Sequence, residues 1–310
     1  MKKLQYLFYA AAFFALGCSS GKSEGEEPAP APEGPSSEVF SLKVMSFNIR
    51  YSNTTDQGEK SWSQRRKPCV DMIKDVNPGV IGMQESRTEQ RNYLKTMLTK
   101  YELLEVPNTG TGSGGNSTVL YRTDLFTRVD WGYFYLSETP ETPSAPWDAT
   151  NSARRSSVWV HLKDNASGRE FVFLSTHFPE SNTSAADNEA RLKCAQLNVN
   201  KMKEIAGSLP VFIVGDMNCS EKAADGSANA DGVRALKPYR DWMKSGRDIA
   251  PTGDAYSFNN FGKGTAAPSR NLDHIFYRNV TMAMSFRTLT DNYGVKYVSD
   301  HYPILLTVLF

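Results

Sequence analysis

The sequence predicts an α+β protein, because short apolar runs typical of buried strands are interspersed with two amphipathic helical patterns. Apolar runs of four to eight residues bounded by polar ones indicate strands that are buried on both faces. In residues 186–206, apolar side chains recur at spacings of three and four, which predicts a helix with one apolar face. The strands and helices are mixed rather than strictly alternating, and this pattern favours α+β layers.

The predicted elements follow one another in a definite order along the chain. Leu42–Phe47 forms the first strand run, and the apolar spacing at residues 69–76 then predicts a short helix. Asn77-Pro78-Gly79 ends this helix, as Pro and Gly commonly do. The later strand runs are Val80–Met83, Ser117–Arg122, Ser156–Leu162, Phe171–Leu174, Val211–Val214 and Leu272–Phe276.

Polar side chains suited to acid–base or metal chemistry close most of these runs. In chain order they are Asn48, Glu85, His177, Asp216, Asn218, Asp273, Asp300 and His301. Polar groups that repeatedly follow strands can converge on one rim of a sheet sandwich, where a rigid scaffold positions the loops. The sequence therefore predicts an active site at such a rim.

In this order, the fragments resemble the endonuclease/exonuclease/phosphatase superfamily, which includes deoxyribonuclease I and the apurinic-site endonucleases. The resemblance extends from about Leu42 to Phe310. A single motif such as Gly215-Asp216-Met217-Asn218 occurs in many proteins, but six motifs in the family's order are specific. The resemblance implies a four-layer αββα sandwich, with two mixed β-sheets face to face and helices outside. It also implies a metal-dependent phosphoester hydrolase.

The resemblance assigns a metal-binding role to three of these residues. Glu85 matches the principal metal ligand, Asn48 lies beside it, and Asp300 completes or water-bridges the shell. Hard oxygen ligands of this kind suit Mg²⁺ or Mn²⁺. A lone Glu after a strand would instead be interpreted as a solvated loop carboxylate, so the metal role of Glu85 depends on the rest of the set.

The resemblance also assigns the acid–base groups. In the family, the Asp that matches Asp273 orients the His that matches His301, and such a pair fixes the imidazole tautomer. His177 matches a second histidine of deoxyribonuclease-like members, and Asn218 is expected to hold a phosphate oxygen. Asp216 is an alternative activator of water, and the sequence leaves open whether Asp216 or His301 takes the proton.

Arg155 and His161 are interpreted differently, although both belong to the same strand region. Arg155 directly precedes Ser156–Leu162, where the family carries an arginine that reaches the scissile phosphate, and a planar guanidinium suits phosphate geometry. A surface ion pair is the alternative for Arg155. His161 is expected to be a structural histidine, because nothing in the sequence pairs with it.

Two departures from the family pattern concern substrate choice. Many relatives carry Asp-His after the position of His177, whereas this chain has Phe178-Pro179-Glu180. The inositol-phosphatase branch carries an arginine at the position of His274, so His274 argues against that branch.

The N-terminal segment resembles a bacterial lipoprotein signal peptide. Lys2-Lys3 is followed by an apolar stretch and by Leu16-Gly17-Cys18, so residues 1–17 are predicted to be removed and Cys18 to be lipidated. An ordinary secretory signal is the alternative. Residues 18–41 are rich in Ser, Gly, Glu and Pro and are predicted to form a disordered tether, which leaves the domain at 42–310. The expected location is the envelope of a Gram-negative-type bacterium, with the protein as a lipid-anchored monomer.

The charge and cysteine content of the domain restrict its partners. Three lysines and five glutamates precede residue 42, which leaves 32 basic and 29 acidic residues, a formal charge of +3. A domain that binds nucleic acid with high affinity is expected to carry a much larger excess of basic residues. The spacing of Cys69, Cys194 and Cys219 fits no zinc site, and buried free thiols are expected.

Three functions therefore remain open. The first is a phosphodiesterase that acts on nucleic acid outside the cytoplasm. The second is a phosphodiesterase or phosphatase for lipid headgroups or phosphorylated sugars. The third is a non-catalytic surface binding lipoprotein, which is disfavoured because a lapsed site has no need to bury carboxylates.

Overall fold

The computed structural model describes residues 40–106, 116–150, 153–180 and 184–310. The predicted signal peptide and all but the last two residues of the predicted tether lie outside these residues. In chain order the elements are β1 (Ser41–Asn48), α1 (Trp62–Val76), β2 (Val80–Ser86), α2 (Thr88–Met97), β3 (Tyr101–Glu105), β4 (Asn116–Arg122), β5 (Phe126–Tyr135), β6 (Ser156–Asp164), β7 (Glu170–His177), α3 (Ala185–Ala206), β8 (Val211–Asp216), α4 (Ala230–Trp242), β9 (Lys244–Ser245), β10 (Asp273–Arg278), β11 (Met282–Thr288) and β12 (Ile304–Leu309).

The strands of the described chain form two mixed six-stranded sheets. The first sheet has the order β11-β12-β1-β2-β4-β3, and the second sheet has the order β5-β6-β7-β8-β10-β9. Each sheet contains one parallel pair, β1 with β2 and β7 with β8, and its other neighbours are antiparallel. The predicted αββα sandwich is confirmed.

Three apolar layers hold the sandwich together. Val44, Phe173 and Phe212 belong to the core between the sheets, and a buried side chain of this size stabilises the fold by about 1.5–3 kcal/mol. A second layer joins α3 and α4 to the second sheet, and a third joins α1 and α2 to the first sheet. The continuously apolar strand runs are therefore explained by sheets that are covered on both faces.

The helices lie close to the predicted positions. The 186–206 pattern is confirmed by α3, whereas α1 begins at Trp62, earlier than the apolar spacing indicates. Asn77 ends α1 in the left-handed region with φ of 51°, a conformation that Asn tolerates better than most residues. Among the described helices, none is both long and apolar enough to span a bilayer.

The two sheets pack closely against each other near the C-terminal ends of β2 and β8. A Cβ atom on Gly82 would lie 2.2 Å from Val214 Cγ2, so β2 and β8 could not pack at this distance with a larger residue. In the same region Gln84 Nε2 donates to Ser175 Oγ over 3.2 Å, which links the two sheets. Cys69, Cys194 and Cys219 are buried free thiols, as expected.

Candidate active site

The predicted site residues meet where the two parallel strand pairs end. We call this rim the upper edge: it is where β1, β2, β7 and β8 end and where β10 begins. The register places Asn48 opposite Gln84 in the first sheet and His177 opposite Asp216 in the second. Asp273 opens β10 directly opposite Asp216. One edge of the sandwich therefore receives polar side chains from both sheets.

Glu85 is directed into the site by a break in the strand. The pairing of β2 with β4 shifts register between Met83 and Ser86, and Glu85 has φ of 65°. A bulge re-aims a side chain, and a left-handed backbone at a residue other than glycine costs of order 1–3 kcal/mol. Glu85 Oε2 accepts the backbone N–H of Tyr51 over 3.1 Å, which holds the carboxylate in place.

Asn48 connects the carboxylates of the two sheets. Its Nδ2 donates to Glu85 Oε1 over 3.2 Å and to Asp216 Oδ2 over 3.0 Å. Its Oδ1 accepts the backbone N–H of Arg50 over 3.0 Å. Asn48 is fully buried, and its amide reduces the repulsion between two nearby negative groups.

Asp216 lies at the centre of the site. Its Oδ1 accepts the backbone N–H of Asn218 over 3.0 Å. Its Oδ2 lies 3.6 Å from His177 Nε2 and 3.7 Å from His301 Nε2. Burial raises the pKa of Asp216 to about 7, and the charge of Asp273 adds to this effect while that of His301 opposes it.

His301 and Asp273 form the predicted pair across the two sheets. His301 Nδ1 lies 2.7 Å from Asp273 Oδ2, and both side chains are buried. Because the carboxylate holds Nδ1, the other ring nitrogen faces Asp216. Burial alone would lower the pKa of His301, but the negative charges of Asp273 and Asp216 outweigh it and raise the pKa to about 10.

His177, Arg155 and Asn218 form the remaining wall of the site. Arg155 NH1 donates to His177 Nδ1 over 2.9 Å, and Asn218 Nδ2 lies 3.2 Å from His177 Nε2. Burial, together with the positive charges of Arg155 and His301, lowers the pKa of His177 well below its ordinary value. A neutral imidazole has a single acceptor nitrogen, so it accepts either from Arg155 at Nδ1 or from Asn218 at Nε2.

Asp300 lies beside the site but faces a different partner. Its Oδ2 is 3.6 Å from Arg50 NH1, and its Oδ1 accepts the hydroxyl of Ser299 over 3.2 Å. Burial raises the pKa of Asp300, and the nearby charges of His301 and Arg50 oppose that rise.

Glu85, His177 and Asp216 could together hold a metal ion. One ligand atom from each of these residues lies within 4.8 Å of the others. Asp216, Asp273 and His301 form a second group of this kind, and Asp300 belongs to neither. Two carboxylates at short range form an oxygen-rich donor set, which fits a hard divalent cation. The individual ligand roles of Asn48, Glu85 and Asp300 stay predictions.

Sequence reasoning missed Arg65, which ties the loops of the site together. Its NH1 donates to the carbonyls of Ile49 (2.8 Å) and Val298 (2.9 Å). Its Nε and NH2 donate to the carbonyls of Lys60 (2.7 Å) and Arg50 (3.3 Å). The side chain is completely buried, so one residue of α1 fixes both the segment after Asn48 and the segment before Ser299.

Two further contacts involve the predicted histidines. The Phe258 ring packs against the ring of His301 at 4.9 Å between centroids. His161 pairs with Glu170 over 2.8 Å, so the reason given for its structural role, the absence of a partner, is wrong. This pair lies on β6 and β7, away from the upper edge.

The fold agrees with a comparison of the chain with known protein families. The sequence model of the Endonuclease/Exonuclease/phosphatase family matches residues 45–301. The chain belongs to this family. Proteins of the family are phosphoester hydrolases and are generally dependent on divalent metals. No curated protein matches the chain.

Solved structures give the same result. An endonuclease/exonuclease/phosphatase family protein from Bacteroides thetaiotaomicron is 29% identical, with a TM-score of 0.76 over 88% of this chain and 99% of that one. A mannosyl-6-phosphatase from the same organism is 28% identical, with a TM-score of 0.75 over 87% of this chain and 100% of that one. TDP2 of D. rerio, complexed with single-strand DNA product, is 16% identical over 86% and 98% of the two chains, with a TM-score of 0.65; that likeness shows the fold alone.

Proposed function

We propose that this protein is a divalent-metal-dependent phosphoester hydrolase. The observation that carries this proposal is the short contact between His301 and Asp273, with Asp216 facing the free nitrogen of that histidine. A histidine that is held by a carboxylate next to an oxygen-rich donor set suits the proton transfer and charge neutralisation that hydrolysis of a phosphate ester needs.

The residues divide the chemistry as follows. Glu85 and Asp216, with His177 beside them, would hold the cation, which supplies charge neutralisation on the phosphoryl oxygens. Asp273 fixes His301 so that Nε2 is the atom that exchanges a proton at the reacting centre. Asn218 and Arg155 lie on the His177 side, where their N–H groups can hold phosphate oxygens.

A phosphorylated sugar is our first candidate for the substrate, ahead of nucleic acid. A relative called a mannosyl-6-phosphatase is 28% identical along its whole length, whereas the DNA-bound likeness is only 16% identical. The formal charge of +3 from residue 42 onward supports the same order, because polyanionic nucleic acid favours a strongly basic surface. Lipid headgroups are a further candidate with the same phosphoester chemistry.

One activity panel tests the proposal and ranks the substrates. The full chain would be assayed with Mg²⁺ and with Mn²⁺ on mannose 6-phosphate, bis-p-nitrophenyl phosphate, plasmid DNA, RNA, sphingomyelin and inositol phosphates. We expect turnover that depends on metal, is abolished by a chelator and is fastest on mannose 6-phosphate. Cleavage of DNA alone would reverse our substrate order, and inactivity on every phosphoester would favour the non-catalytic binding lipoprotein.

The location outside the cytoplasm is a separate part of the proposal. It is supported by the Lys2-Lys3 start, the apolar stretch after it and the Leu16-Gly17-Cys18 sequence. The parent should incorporate labelled palmitate, and Cys18→Ala should not, because the thiol that carries the lipid is then missing. Equal labelling of the parent and Cys18→Ala, or no labelling of the parent, would contradict the lipid anchor while leaving the enzymatic proposal intact.

A further inference from the structure

A cavity lies at the end of the sandwich opposite to the upper edge. We call this end the lower edge: it is where β10 ends and β11 begins. The cavity measures about 410 Å³ and is lined by residues 240–244 and 277–280. Its walls are therefore the end of α4, the short strand β9 and the end of β10. A volume of this size accommodates a small organic ligand.

Two cations on the cavity wall are not neutralised by the protein. Lys244 and Arg278 form no ion pair with any described carboxylate. The other charged lining residues are satisfied: Arg240 pairs with Asp248 over 2.5 Å, and Asp241 pairs with Lys237 over 2.6 Å. The cavity therefore keeps an excess of positive charge.

The same wall presents hydrogen-bond donors in fixed positions. Arg278 NH1 donates to the carbonyl of Trp242 over 2.8 Å, and its guanidinium lies 5.3 Å from the centre of the Trp242 ring. This contact holds the guanidinium but leaves its remaining N–H groups without a partner among the described residues. Lys244 lies on β9, which pairs with β10 at Tyr277, and lines the same cavity as Arg278. An arginine and a lysine that line one cavity form a donor set suited to phosphate.

We propose that this cavity is a second phosphate-binding site, separate from the catalytic centre. Its ligand is a phosphate group carried by a small polar molecule or by a lipid headgroup. β10 runs from Asp273 at the upper edge to Arg278 at the lower edge, so about 17 Å separates the two sites at about 3.3 Å per residue. Occupancy of the cavity therefore does not require the catalytic residues.

The position of the cavity makes both sources of phosphate accessible. Ser41 opens β1 next to Leu309, and Leu309 also pairs with Met282 just after the cavity. The described chain therefore enters at the lower edge, and a lipid anchor before residue 40 would bring this edge toward a membrane. A free sugar phosphate could reach the same cavity from solution.

The indole N–H resonance of Trp242 offers a readout confined to this cavity. It would be assigned in the full ¹⁵N-labelled chain by comparison with Trp242→Phe, and inorganic phosphate would then be added. We expect a saturable shift of this resonance in the parent. Loss of a charged hydrogen bond of about 1.5–3 kcal/mol should weaken the affinity about 10- to 100-fold in Arg278→Met and in Lys244→Met.

Matched variants separate binding from folding and from catalysis. Lys74→Met removes the same charge from an exposed lysine of α1 that does not line the cavity, and it should leave the phosphate affinity unchanged. Arg278→Lys should retain most of the affinity. Turnover of p-nitrophenyl phosphate should be the same in Lys244→Met as in the parent. A Trp242 resonance that does not respond to phosphate, or that responds equally in Lys244→Met, would overturn the proposal.

Two further titrations distinguish the sources of the phosphate. Mannose 6-phosphate represents the free ligand, and micelles of short-chain phosphatidylglycerol represent a headgroup, with phosphatidylcholine micelles as the neutral comparison. A Trp242 shift with mannose 6-phosphate that matches the inorganic phosphate shift supports a soluble ligand. A tighter response to phosphatidylglycerol supports a membrane headgroup, and a response to neither would contradict the phosphate site.

Discussion

The two sheets present the same strand arrangement at the upper edge but different chemical groups. In each sheet the parallel strand pair terminates at this edge. Each pair carries one carboxylate and, beside it, one side chain that contains nitrogen: Glu85 with Asn48, and Asp216 with His177. The first sheet leaves Glu85 half-buried, whereas Asp216 and His177 of the second sheet are almost completely excluded from solvent.

This difference in burial explains the difference in chemistry. Desolvation raises the pKa of Asp216 and lowers that of His177, so the second sheet holds groups whose protonation is strongly shifted. The accessible carboxylate of Glu85 suits a cation that must also contact substrate, and the buried Asp216 and His177 complete the same donor set from the other side. The strand scaffold therefore determines where the groups lie, and their burial determines what they can do.

Removing the charge of Glu85 is expected to have the largest effect. Glu85→Gln keeps the volume of the side chain but should weaken Mg²⁺ binding and reduce turnover at least about 10³-fold, equivalent to roughly 4 kcal/mol. Calorimetric Mg²⁺ titrations and steady-state rates measure both effects. Glu89→Gln, an exposed change of the same kind four residues later, is the control. Identical Mg²⁺ titrations for Glu85→Gln and the parent would remove Glu85 as a ligand.

The pair that joins the two sheets is expected to have the next largest effect. His301→Ala should lose at least about two orders of magnitude in rate, the range expected for acid–base catalysis. Asp273→Asn should lose less, and the double variant should resemble His301→Ala alone, because residues that act as a unit are not additive. His161→Ala, which changes a histidine paired on β6 and β7, should keep the parental rate. Losses that multiply in the double variant would show that His301 and Asp273 act independently.

The strand ends could be predicted from the sequence, but the contacts that hold them could not. A buried strand leaves an apolar run in the sequence, so the polar residue that closes it is visible locally. Arg65 is adjacent to the exposed Arg66, and no local pattern distinguishes them. Its contact with Val298 spans 233 residues, and periodicity contains no information about such pairings. The partner of His161 was missed for a related reason, because cross-strand register is not apparent in the sequence.

Loss of the Arg65 contacts should reduce both stability and activity. The loss of activity should be smaller than in Glu85→Gln or His301→Ala. Arg65→Met removes a donor from four carbonyls and leaves those of Ile49 and Lys60 without a side-chain donor, whereas Gln90 and Cys69 still donate to the other two. We expect a decrease of about 3–5 kcal/mol in the free energy of unfolding. Arg65→Lys should retain part of this stability, yet its kcat should fall about tenfold, because one ammonium cannot hold both loop segments. Denaturant unfolding and steady-state kinetics test this, with the exposed Arg66→Met as control. A parental kcat in a folded Arg65→Lys would contradict a positioning role.

The smallest expected effect is a pH-dependent loss of stability at His274, on the second-sheet side. His274 Nε2 donates to the carbonyl of Cys219 over 2.9 Å, and its buried Nδ1 has no partner among the described residues. Protonation would place an N–H group where no acceptor lies. Burial, assisted by the charge of Arg247, accordingly lowers the pKa of His274 to about 4.

Since the unfolded chain binds a proton at His274 with a pKa near 6.5, it binds more protons than the folded chain between about pH 6.5 and pH 4. The stabilisation due to neutral His274 is therefore fully present above pH 6.5 and decreases as the pH falls through this window. Between pH 7.5 and pH 5 the loss should be about 2 kcal/mol.

The variant His274→Gln tests this loss. Its side-chain amide can still donate to Cys219 but does not titrate, so the difference in stability between parent and variant should change by this amount between the two pH values. Urea unfolding of both proteins at the two pH values, with a chelator present, measures the change. Parallel pH profiles would show that His274 is not the group responsible.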